Sequence, residues 1–376
     1  MFSNPVNKRI LFILPAFYRN GAVDLVINLS EELVNLNREV EILAINQQSH
    51  SHLPNKSVRV SIPLEENQSP KKNLPTYLIQ LIKSVSRADI VFLPWENGPA
   101  FTYPSLIARI LGKPTVAIVQ NNIQKTSIDY PSAIAHIIRW AYSQSIAVVC
   151  VSQGLKKIVA RELNLDVNKV ISISNGMNLE AIKLKAQQPC SMEFDKNDLP
   201  FIVAIGRLAS QKGFDVLIKS HAAVIKKGIS HRLIIIGEGA EFTALSELAN
   251  KLGVSQSVTF SGFVNNPLPI LARASLFCLS SRYEGLPLSL IEAATLGIPT
   301  IATDCPTGPK EILADGLYGD LVATESVEAL SNAIEKHFQS PERLIEKAKV
   351  SAAKAERLSM RNCAKRYLKL VDNLVF

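Results

Sequence analysis

The sequence predicts an α/β protein with two doubly wound domains, each a parallel sheet covered by helices on both faces. Short apolar runs of strand length alternate with stretches of helical spacing, and this alternation occurs twice along the 376 residues. A polar segment with two prolines separates the two series. A continuous apolar run is typical of a buried parallel strand, so both series indicate parallel sheets.

The first series opens with the apolar run at residues 9–14, followed by an Asn-Gly turn and by helical spacing over residues 23–36. Further strands are predicted at residues 40–45, 90–93, 115–119, 147–151 and 170–174. Helices are predicted between them at residues 74–86, 101–111, 133–143 and 154–163. We therefore expect an N-terminal sheet domain at 1–185 and a linker at 186–199.

The second series repeats the pattern after the linker. Its strands are predicted at residues 201–206, 233–237, 258–260, 274–279 and 300–302, and its helices at 214–226, 241–252, 288–296 and 309–313. Helical spacing then continues from 326 to 374. We expect a second domain at 200–355, a C-terminal helix at 356–376 that returns to the first domain, and a ligand cleft between the domains.

Composition excludes some classes of protein. The apolar fraction of 47% and the charged fraction of 20% indicate a soluble globular chain, and no apolar run is long enough to span a membrane. Five scattered cysteines favour a reducing cytoplasm over a disulfide framework or a zinc site.

The net charge of +8 lies mostly in the first 190 residues. This excess indicates either ordinary solvated lysines or a basic face for anionic lipid or an anionic acceptor. Nucleic acid is disfavoured, because no basic cluster is interleaved with aromatic residues.

One stretch, residues 280–297, combines a strand end, a turn and a new helix with two carboxylates, Glu284 and Glu292. Gly285 permits the turn and Pro287 suits the first turn of a helix. A helix start offers free N–H groups to a phosphate, while carboxylates suit sugar hydroxyls. The combination predicts a nucleotide-sugar site, although an exposed glutamate and a paired helix glutamate would explain the two residues separately.

A second loop carries two cations, Arg207 and Lys212, between Gly206 and Gly213 at a strand end. An arginine fork and a lysine charge suit a diphosphate, and they would neutralise the charge that develops on a leaving nucleoside diphosphate. Two solvated loop cations are the alternative interpretation.

The order and spacing of these motifs resemble the C-terminal domain of glycosyltransferase family 4, which comprises retaining enzymes of the two-Rossmann-domain GT-B fold. The resemblance covers residues 201–313 and rests on five motifs: Gly-Arg-Leu at 206–208 with Lys-Gly at 212–213, Gly-Glu-Gly at 237–239, Phe-Ser-Gly-Phe-Val at 260–264, residues 281–292, and residues 297–304.

The resemblance implies a role for each matching residue. Arg207 and Lys212 would hold the donor diphosphate, Glu284 would meet hydroxyls of the transferred sugar, and these three form the expected catalytic set. Glu292 would bind the ribose hydroxyls. The other implied donor-binding residues are Gly21, Gly206, Gly237, Phe263, Val264, Gly285 and Leu286, with Phe263 and Val264 beside the base.

The N-terminal half resembles the family more loosely. Asn20 and Gly21 stand where family members usually carry a Gly-Gly loop near the donor phosphate and the acceptor. Gln120, Asn121 and Asn122 follow a predicted strand where many members have a histidine. We expect Asn20 and these three residues on the acceptor side, with a plain polar loop as the alternative for residues 120–122.

The function expected from the resemblance is transfer of a hexose or N-acetylhexosamine, with UDP-sugar as donor, to a lipid-linked or glycan acceptor in surface polysaccharide or glycolipid synthesis. Residues 304–313 hint at the UDP donor. The chain has no Asp-x-Asp triplet, so no metal and no cofactor are expected. We expect a cytoplasmic enzyme with peripheral contact to the anionic inner membrane face.

Three other functions remain open: a GDP-mannose-dependent mannosyltransferase, a non-catalytic member that binds a sugar nucleotide or a partner enzyme, and a nucleotide-sugar epimerase of the same fold.

Overall fold

A computed structural model describes residues 8–17, 21–47, 53–64, 68, 72–95, 98–120, 132–193 and 199–374. The chain divides into two compact units. The first unit comprises Met1–Met177 together with Ser359–Phe376, and the second is the continuous segment Asn178–Leu358. Within the described residues, no helix has the length and hydropathy needed to cross a bilayer.

The first unit is built on a seven-stranded sheet in which every strand pair is parallel. Its strands are β1 (Arg9–Phe17), β2 (Glu39–Gln47), β3 (Arg59–Ser61), β4 (Ile90–Leu93), β5 (Thr115–Val119), β6 (Ala147–Cys150) and β7 (Val170–Ser172). Their spatial order is β3-β2-β1-β4-β5-β6-β7. The order reverses between β1 and β4, which is the doubly wound arrangement that the sequence predicts.

The helices of the first unit connect these strands. They are α1 (Gly21–Asn35), α2 (Leu74–Arg87), α3 (Pro99–Ile110), α4 (Ser132–Gln144) and α5 (Gln153–Glu162). The C-terminal helix α14 (Met360–Leu374) packs into the core of the same unit. There the ring of Tyr367 meets Phe92 edge-on at 5.7 Å between centroids, and Phe92 stacks on Phe12 at 5.0 Å.

The second unit contains a six-stranded parallel sheet in the order β10-β9-β8-β11-β12-β13. The strands are β8 (Phe201–Ile205), β9 (Arg232–Ile236), β10 (Val258–Phe260), β11 (Leu276–Leu279), β12 (Thr300–Thr303) and β13 (Asp320–Val322). The helices are α6 (Leu179–Ala186), α7 (Phe214–Lys226), α8 (Phe242–Lys251), α9 (Leu268–Leu271), α10 (Leu288–Leu296), α11 (Pro309–Ile312), α12 (Val327–Gln339) and α13 (Glu342–Ala353).

The boundaries of the two units differ from those the sequence suggested. The first unit ends at Met177 rather than 185, and helix α6 lies in the second unit. Leu179 and Ile182 of α6 are buried there, and the side chain of Asn266 donates a hydrogen bond to the carbonyl of Lys185 at 2.9 Å. Buried apolar side chains and this hydrogen bond therefore attach α6 to the second unit. The polar composition of the same segment suggests instead that it leads into a linker.

The predicted helical tail is divided into α12, α13, a short 3-10 turn at Ala355–Leu358, and α14. Ser326 caps the start of helix α12, because its hydroxyl accepts a hydrogen bond from the N–H of Ala329 at 3.0 Å. Pro341 lies between α12 and α13, where a proline cannot continue the ladder of helical hydrogen bonds.

Candidate functional site

The loop after β8 holds the two predicted cations. The methylene groups of Lys212 lie over Gly206, where an added Cβ would come within 3.0 Å of the lysine Cε. Gly213 has a φ of +61°, and a Cβ there would lie 2.2 Å from the carbonyl oxygen of Ser280. The hydroxyl of Ser280 donates to the Lys212 carbonyl at 2.8 Å. These glycines bring the cationic loop close to the loop that follows β11.

Lys212 and Glu284 form the central ion pair of this site. The lysine Nζ lies 2.7 Å from Oε1 of Glu284, and the hydroxyl of Ser281 donates to the same oxygen at 2.6 Å. The glutamate side chain is only 7% exposed. Its other oxygen, Oε2, has no hydrogen-bond donor among the described residues. The carboxylate is thus held through one oxygen and presents the other.

The backbone next to Glu284 supplies further donors. The hydroxyl of Thr307 donates to the carbonyl oxygen of Glu284 and fixes the start of the turn. Among the described residues, the N–H groups of Gly285 and Leu286 have no acceptor. Two free N–H groups beside a positive lysine form a favourable place for an anionic oxygen.

Glu292 lies on α10, one turn into the helix. Removal from water raises the pKa of this carboxyl to about 7, while the ammonium group of Lys185 opposes the shift. The side chain has no hydrogen-bond partner within the described parts of the chain. An enclosed carboxyl without a donor is well suited to receive ligand hydroxyls.

Arg207 is exposed at the end of β8, and its guanidinium forms no hydrogen bond or ion pair with any described residue. Its neighbour Leu208 is buried, and the N–H of Leu208 donates to the carbonyl of Glu238 at 2.8 Å. The backbone is therefore fixed while the charged group stays available, as binding of an anion requires.

The predicted base-binding residues lie on the loop after β10. Gly237 donates its N–H to the Gly262 carbonyl at 2.9 Å, and Oε1 of Glu238 accepts a hydrogen bond from the N–H of Phe263 at 3.1 Å. Phe263 is 61% exposed and Val264 is partly exposed. The exposed ring offers a flat apolar surface.

Arg282 was assigned no role from the sequence, yet it joins the two loops of the site. Its guanidinium donates to the Ser210 carbonyl at 2.6 Å and forms ion pairs with Asp215 and Glu325. Hydrogen bonds to these two carboxylates raise its pKa above the ordinary arginine value. The side chain of Gln211 adds a bond to the carbonyl of Tyr283 at 3.0 Å. The available signal was the single cation of the Ser-Arg-Tyr-Glu motif, which is Arg282 itself.

The other predicted site residues either belong to the first unit or lie outside the described residues. Asn20, Asn121 and Asn122 are outside the described residues. Gln120, in the first unit, donates from Nε2 to the Pro94 carbonyl at 3.2 Å. Gly21 is the first residue of α1, also in the first unit.

Two family profiles match the chain. Glycosyl transferases group 1 matches residues 192–355, and Glycosyltransferase Family 4 matches residues 19–181. Together with the parallel-sheet units and the relatives described next, these matches place the chain plainly: it belongs to the glycosyltransferases of the family 4 type and has the GT-B fold. Both the family and the fold predicted from the sequence are confirmed.

Its curated relatives include an uncharacterized glycosyltransferase of Methanocaldococcus jannaschii, which is 33% identical over 190 residues. That match covers 50% of this chain and only 47% of the archaeal protein, so the chain spans about half of that relative's length. A match of 24% identity over 369 residues covers 93% of this chain and 96% of a Campylobacter jejuni enzyme. That enzyme is named as a 4-alpha-N-acetylgalactosaminyltransferase for a diphospho-undecaprenol-linked sugar.

Solved structures share the fold. The Anabaena protein HepE in complex with UDP superimposes with a TM-score of 0.78 at 16% identity, covering 97% of this chain and 100% of that one. A glycosyltransferase from Rickettsia africae gives a TM-score of 0.75 at 17% identity, with 98% and 99% covered.

Proposed function

We propose that the protein is a retaining glycosyltransferase that moves a hexose or N-acetylhexosamine from a nucleotide-diphosphate sugar to a lipid-linked or glycan acceptor. UDP-sugar is the preferred donor in this proposal, and surface polysaccharide or glycolipid is the product. The observation that carries it is the Lys212–Glu284 pair, which leaves one carboxylate oxygen without a donor among the described residues. Arg207 stands on the same loop as Lys212, and its guanidinium has no partner within the described ranges. Two cations suit a diphosphate, and the free oxygen suits a sugar hydroxyl.

In this mechanism the donor diphosphate binds to Arg207, to the Lys212 ammonium and to the N–H groups of Gly285 and Leu286. Negative charge grows on the phosphate oxygen as its bond to the anomeric carbon breaks, and these groups stabilise it. Because their positive charge is fixed in place beforehand, a divalent metal is unnecessary in this proposal. Turnover is expected to survive a metal chelator, and a loss restored by Mg²⁺ would contradict that point.

Glu284 positions the transferred sugar through its free Oε2, and Glu292 accepts hydrogen bonds from the ribose. The acceptor hydroxyl attacks from the face that the phosphate leaves, and the departing phosphate oxygen takes the acceptor proton. One carbon–oxygen bond breaks and another forms on the same face, so the anomeric configuration is retained. The protein supplies position and charge stabilisation.

The relatives support the choice of substrates. The Campylobacter jejuni enzyme is named for a diphospho-undecaprenol-linked acceptor, and Anabaena HepE was crystallised with UDP and with UDP-glucose. For this chain we propose the same classes: a UDP-sugar donor and an acceptor on a lipid diphosphate.

Peripheral contact with an anionic membrane, at the cytoplasmic face, belongs to the same proposal. Helices α2, α3 and α4 pack side by side in the first unit and expose large apolar residues, among them Ile79, Ile110 and Trp140. Exposed cations stand on these helices, among them Arg109 and Arg139. Apolar side chains flanked by cations match an anionic lipid surface.

This membrane contact is tested by flotation with phosphatidylcholine vesicles, with and without anionic lipid. Binding is expected only to the anionic vesicles and is expected to fall in Ile110→Asp. Equal binding of wild type and variant would contradict the surface proposed.

The proposed function is tested first by a thermal-shift panel of UDP, GDP, ADP and CMP on the wild type and on Arg207→Ala. A ligand at 100 times its Kd stabilises a fold by about 2.7 kcal/mol, so binding is readily detected. A shift with UDP alone that is lost in the variant is the expected result. A shift with GDP alone would favour the mannosyltransferase, and no shift at all would favour a non-catalytic member.

Product analysis separates the remaining classes. The anomeric configuration of a product made from UDP-sugar, read by NMR, is expected to match the donor, and an inverted linkage would refute retention. An epimerised sugar formed without acceptor would assign the protein to the epimerases.

A further inference from the structure

A polar cavity lies in the first unit, at the edge of the sheet opposite the carboxyl ends of its strands. It measures about 790 Å³, within the roughly 300–1,000 Å³ range of small-molecule sites. Its lining comes from the amino ends of β1, β2 and β3, the segment before β3, and the end of α2. The proposed transfer reaction assigns no role to this cavity.

The cavity is strongly basic. Five cations and two carboxylates line it: Arg9, Arg38, Lys56, Arg59 and Arg87, with Glu39 and Glu41. One of the carboxylates is already occupied, because Oε1 of Glu41 accepts hydrogen bonds from Ser61 and Ser84 at 2.9 and 2.7 Å. The lining therefore carries an excess of three positive charges.

Most of these cations lack a protein partner. Arg9 pairs with Asp89, but within the described ranges Lys56, Arg59 and Arg87 form no hydrogen bond or ion pair. They therefore donate to none of the carbonyl groups at the nearby helix ends, which is the structural role that basic residues often have there.

Arg38 provides a second, independent observation that points to a ligand in this cavity. Its side chain is only 12% exposed, and its terminal nitrogen is held by Asp372 at 3.2 Å. The Nε–H is buried and has no acceptor among the described residues. A buried donor on a fixed guanidinium that lines a basic cavity is a feature for which an acceptor is expected.

We propose that this cavity binds an anion with two or more phosphate groups. Arg59 and Arg87 form its solvent-exposed cations, and Arg38 forms its fixed donor. Guanidinium groups recognise phosphate oxygens through paired hydrogen bonds, and three cations without a partner among the described residues, Lys56, Arg59 and Arg87, match a diphosphate better than a single phosphate monoester. The same chemistry occurs in free pyrophosphate and in a polyphosphorylated lipid headgroup, so the test has an arm for each source.

The test uses Arg207→Ala protein, so that binding at the donor loop is weakened. Pyrophosphate is titrated into this protein by calorimetry at low ionic strength and again with added salt, which screens exposed cations. The cavity variant adds Arg59→Gln and Arg87→Gln. The matched control adds Lys156→Gln and Lys157→Gln, which remove the same charge from α5, outside the cavity. Flotation on vesicles that contain phosphatidylinositol bisphosphate forms the second arm.

Pyrophosphate binding that weakens at least about tenfold in the cavity variant, and not in the control, would support the proposal with a free anion as ligand. Vesicle binding lost in the cavity variant alone, without pyrophosphate binding, would support it with a lipid headgroup as ligand. The proposal is overturned if neither probe binds, or if the control loses as much as the cavity variant. Both readouts are independent of transferase activity.

Discussion

The Lys212 ammonium and the Ser281 hydroxyl both bind Oε1 of Glu284, and leave Oε2 without a donor among the described residues. Lys212 and Glu284 are far apart in the sequence, but in the structure Nζ of the lysine lies 2.7 Å from Oε1 of the glutamate. The asymmetry of this carboxylate separates its structural oxygen from the one available to a ligand. Substitutions of Lys212 and of Glu284 are therefore expected to have different phenotypes.

Removal of the lysine charge is expected to affect both catalysis and folding. Lys212→Ala should lower kcat by roughly 10²–10³, the loss typical of one removed transition-state donor. It also leaves the buried Glu284 carboxylate without its cation, so the thermal midpoint should fall. Arg207→Ala is the comparison: it should lower kcat similarly with an unchanged midpoint, because Arg207 is exposed and unpaired within the described chain. Unchanged kcat in both variants would refute the diphosphate site.

Loss of Glu284 should separate sugar transfer from nucleotide binding. In Glu284→Gln, transfer from UDP-sugar is expected to fall by at least about tenfold, whereas the Kd for UDP should stay within about threefold of wild type. The reason is that Oε2 faces the sugar in the proposed mechanism, while the diphosphate binds elsewhere. Equal losses of transfer and UDP affinity would show that Glu284 contacts the diphosphate end.

The raised pKa of Glu292 leads us to expect that donor binding depends on pH. Its pKa is raised to about 7 by desolvation, so the neutral form is favoured in the folded protein below that pH. Ribose hydroxyls donate to the charged form, so donor binding should release a proton. Affinity for a UDP-sugar should therefore increase as the pH rises from 6 to 8.

The matched variant for this effect is Glu292→Gln, in which the pH slope should vanish. The same variant should be more stable than the wild type at pH 8, because a carboxyl with a raised folded pKa loses stability as the pH rises through that value. A pH slope that persists in Glu292→Gln would assign the titration to another group.

A buried pair of histidines predicts acid sensitivity of the second unit. His231 Nδ1 lies 3.0 Å from the Ile229 carbonyl, so it carries the proton there, and His231 Nε2 must accept from His221 Nδ1 at 2.9 Å. His221 Nε2 then accepts from the hydroxyl of Ser257 at 2.8 Å, in competition with the Val254 carbonyl, which lies 3.0 Å from the same hydroxyl. Both rings are neutral in this arrangement. Burial, aided by the neighbouring His231, lowers the pKa of His221 to about 3.

Because the folded pKa of His221 lies below the unfolded value, the unfolded state binds more protons as the pH falls. The thermal midpoint should decrease as the pH is lowered from about 6.5 towards 4. In His221→Phe the midpoint should be lower at pH 7 but less dependent on pH. Identical pH profiles for the two proteins would contradict this interpretation of the histidine pair.

Much of the fold was accessible from the sequence because buried parallel strands leave continuous apolar runs. The runs at Ile90–Leu93 and Thr115–Val119 coincide with β4 and β5. The boundary of the first unit was not accessible. Helix α6 is short and carries three exposed charged residues, Glu180, Lys183 and Lys185. The hydrogen bond that ties it to the second unit comes from Asn266, far along the chain.

The residues of the candidate site also divide into those that the sequence predicts and those that it does not. Arg207, Lys212, Glu284 and Glu292 stand in a motif order that a sequence displays directly, and all four lie in the second unit. The role of Arg282 is not predicted from the sequence, because its partners, Asp215 and Glu325, are distant in sequence and belong to no motif. A residue that works by joining two loops is recognised only when the loops are placed in space.

The position of α14 in the core of the first unit has a consequence for the order of synthesis. Domains generally fold as units while the chain emerges from the ribosome. Here the second unit is one continuous segment, while Phe92 of the first unit receives one of its two ring partners, Tyr367, only after that whole segment has been made. The half of the protein that is translated first is therefore the half whose core is completed last.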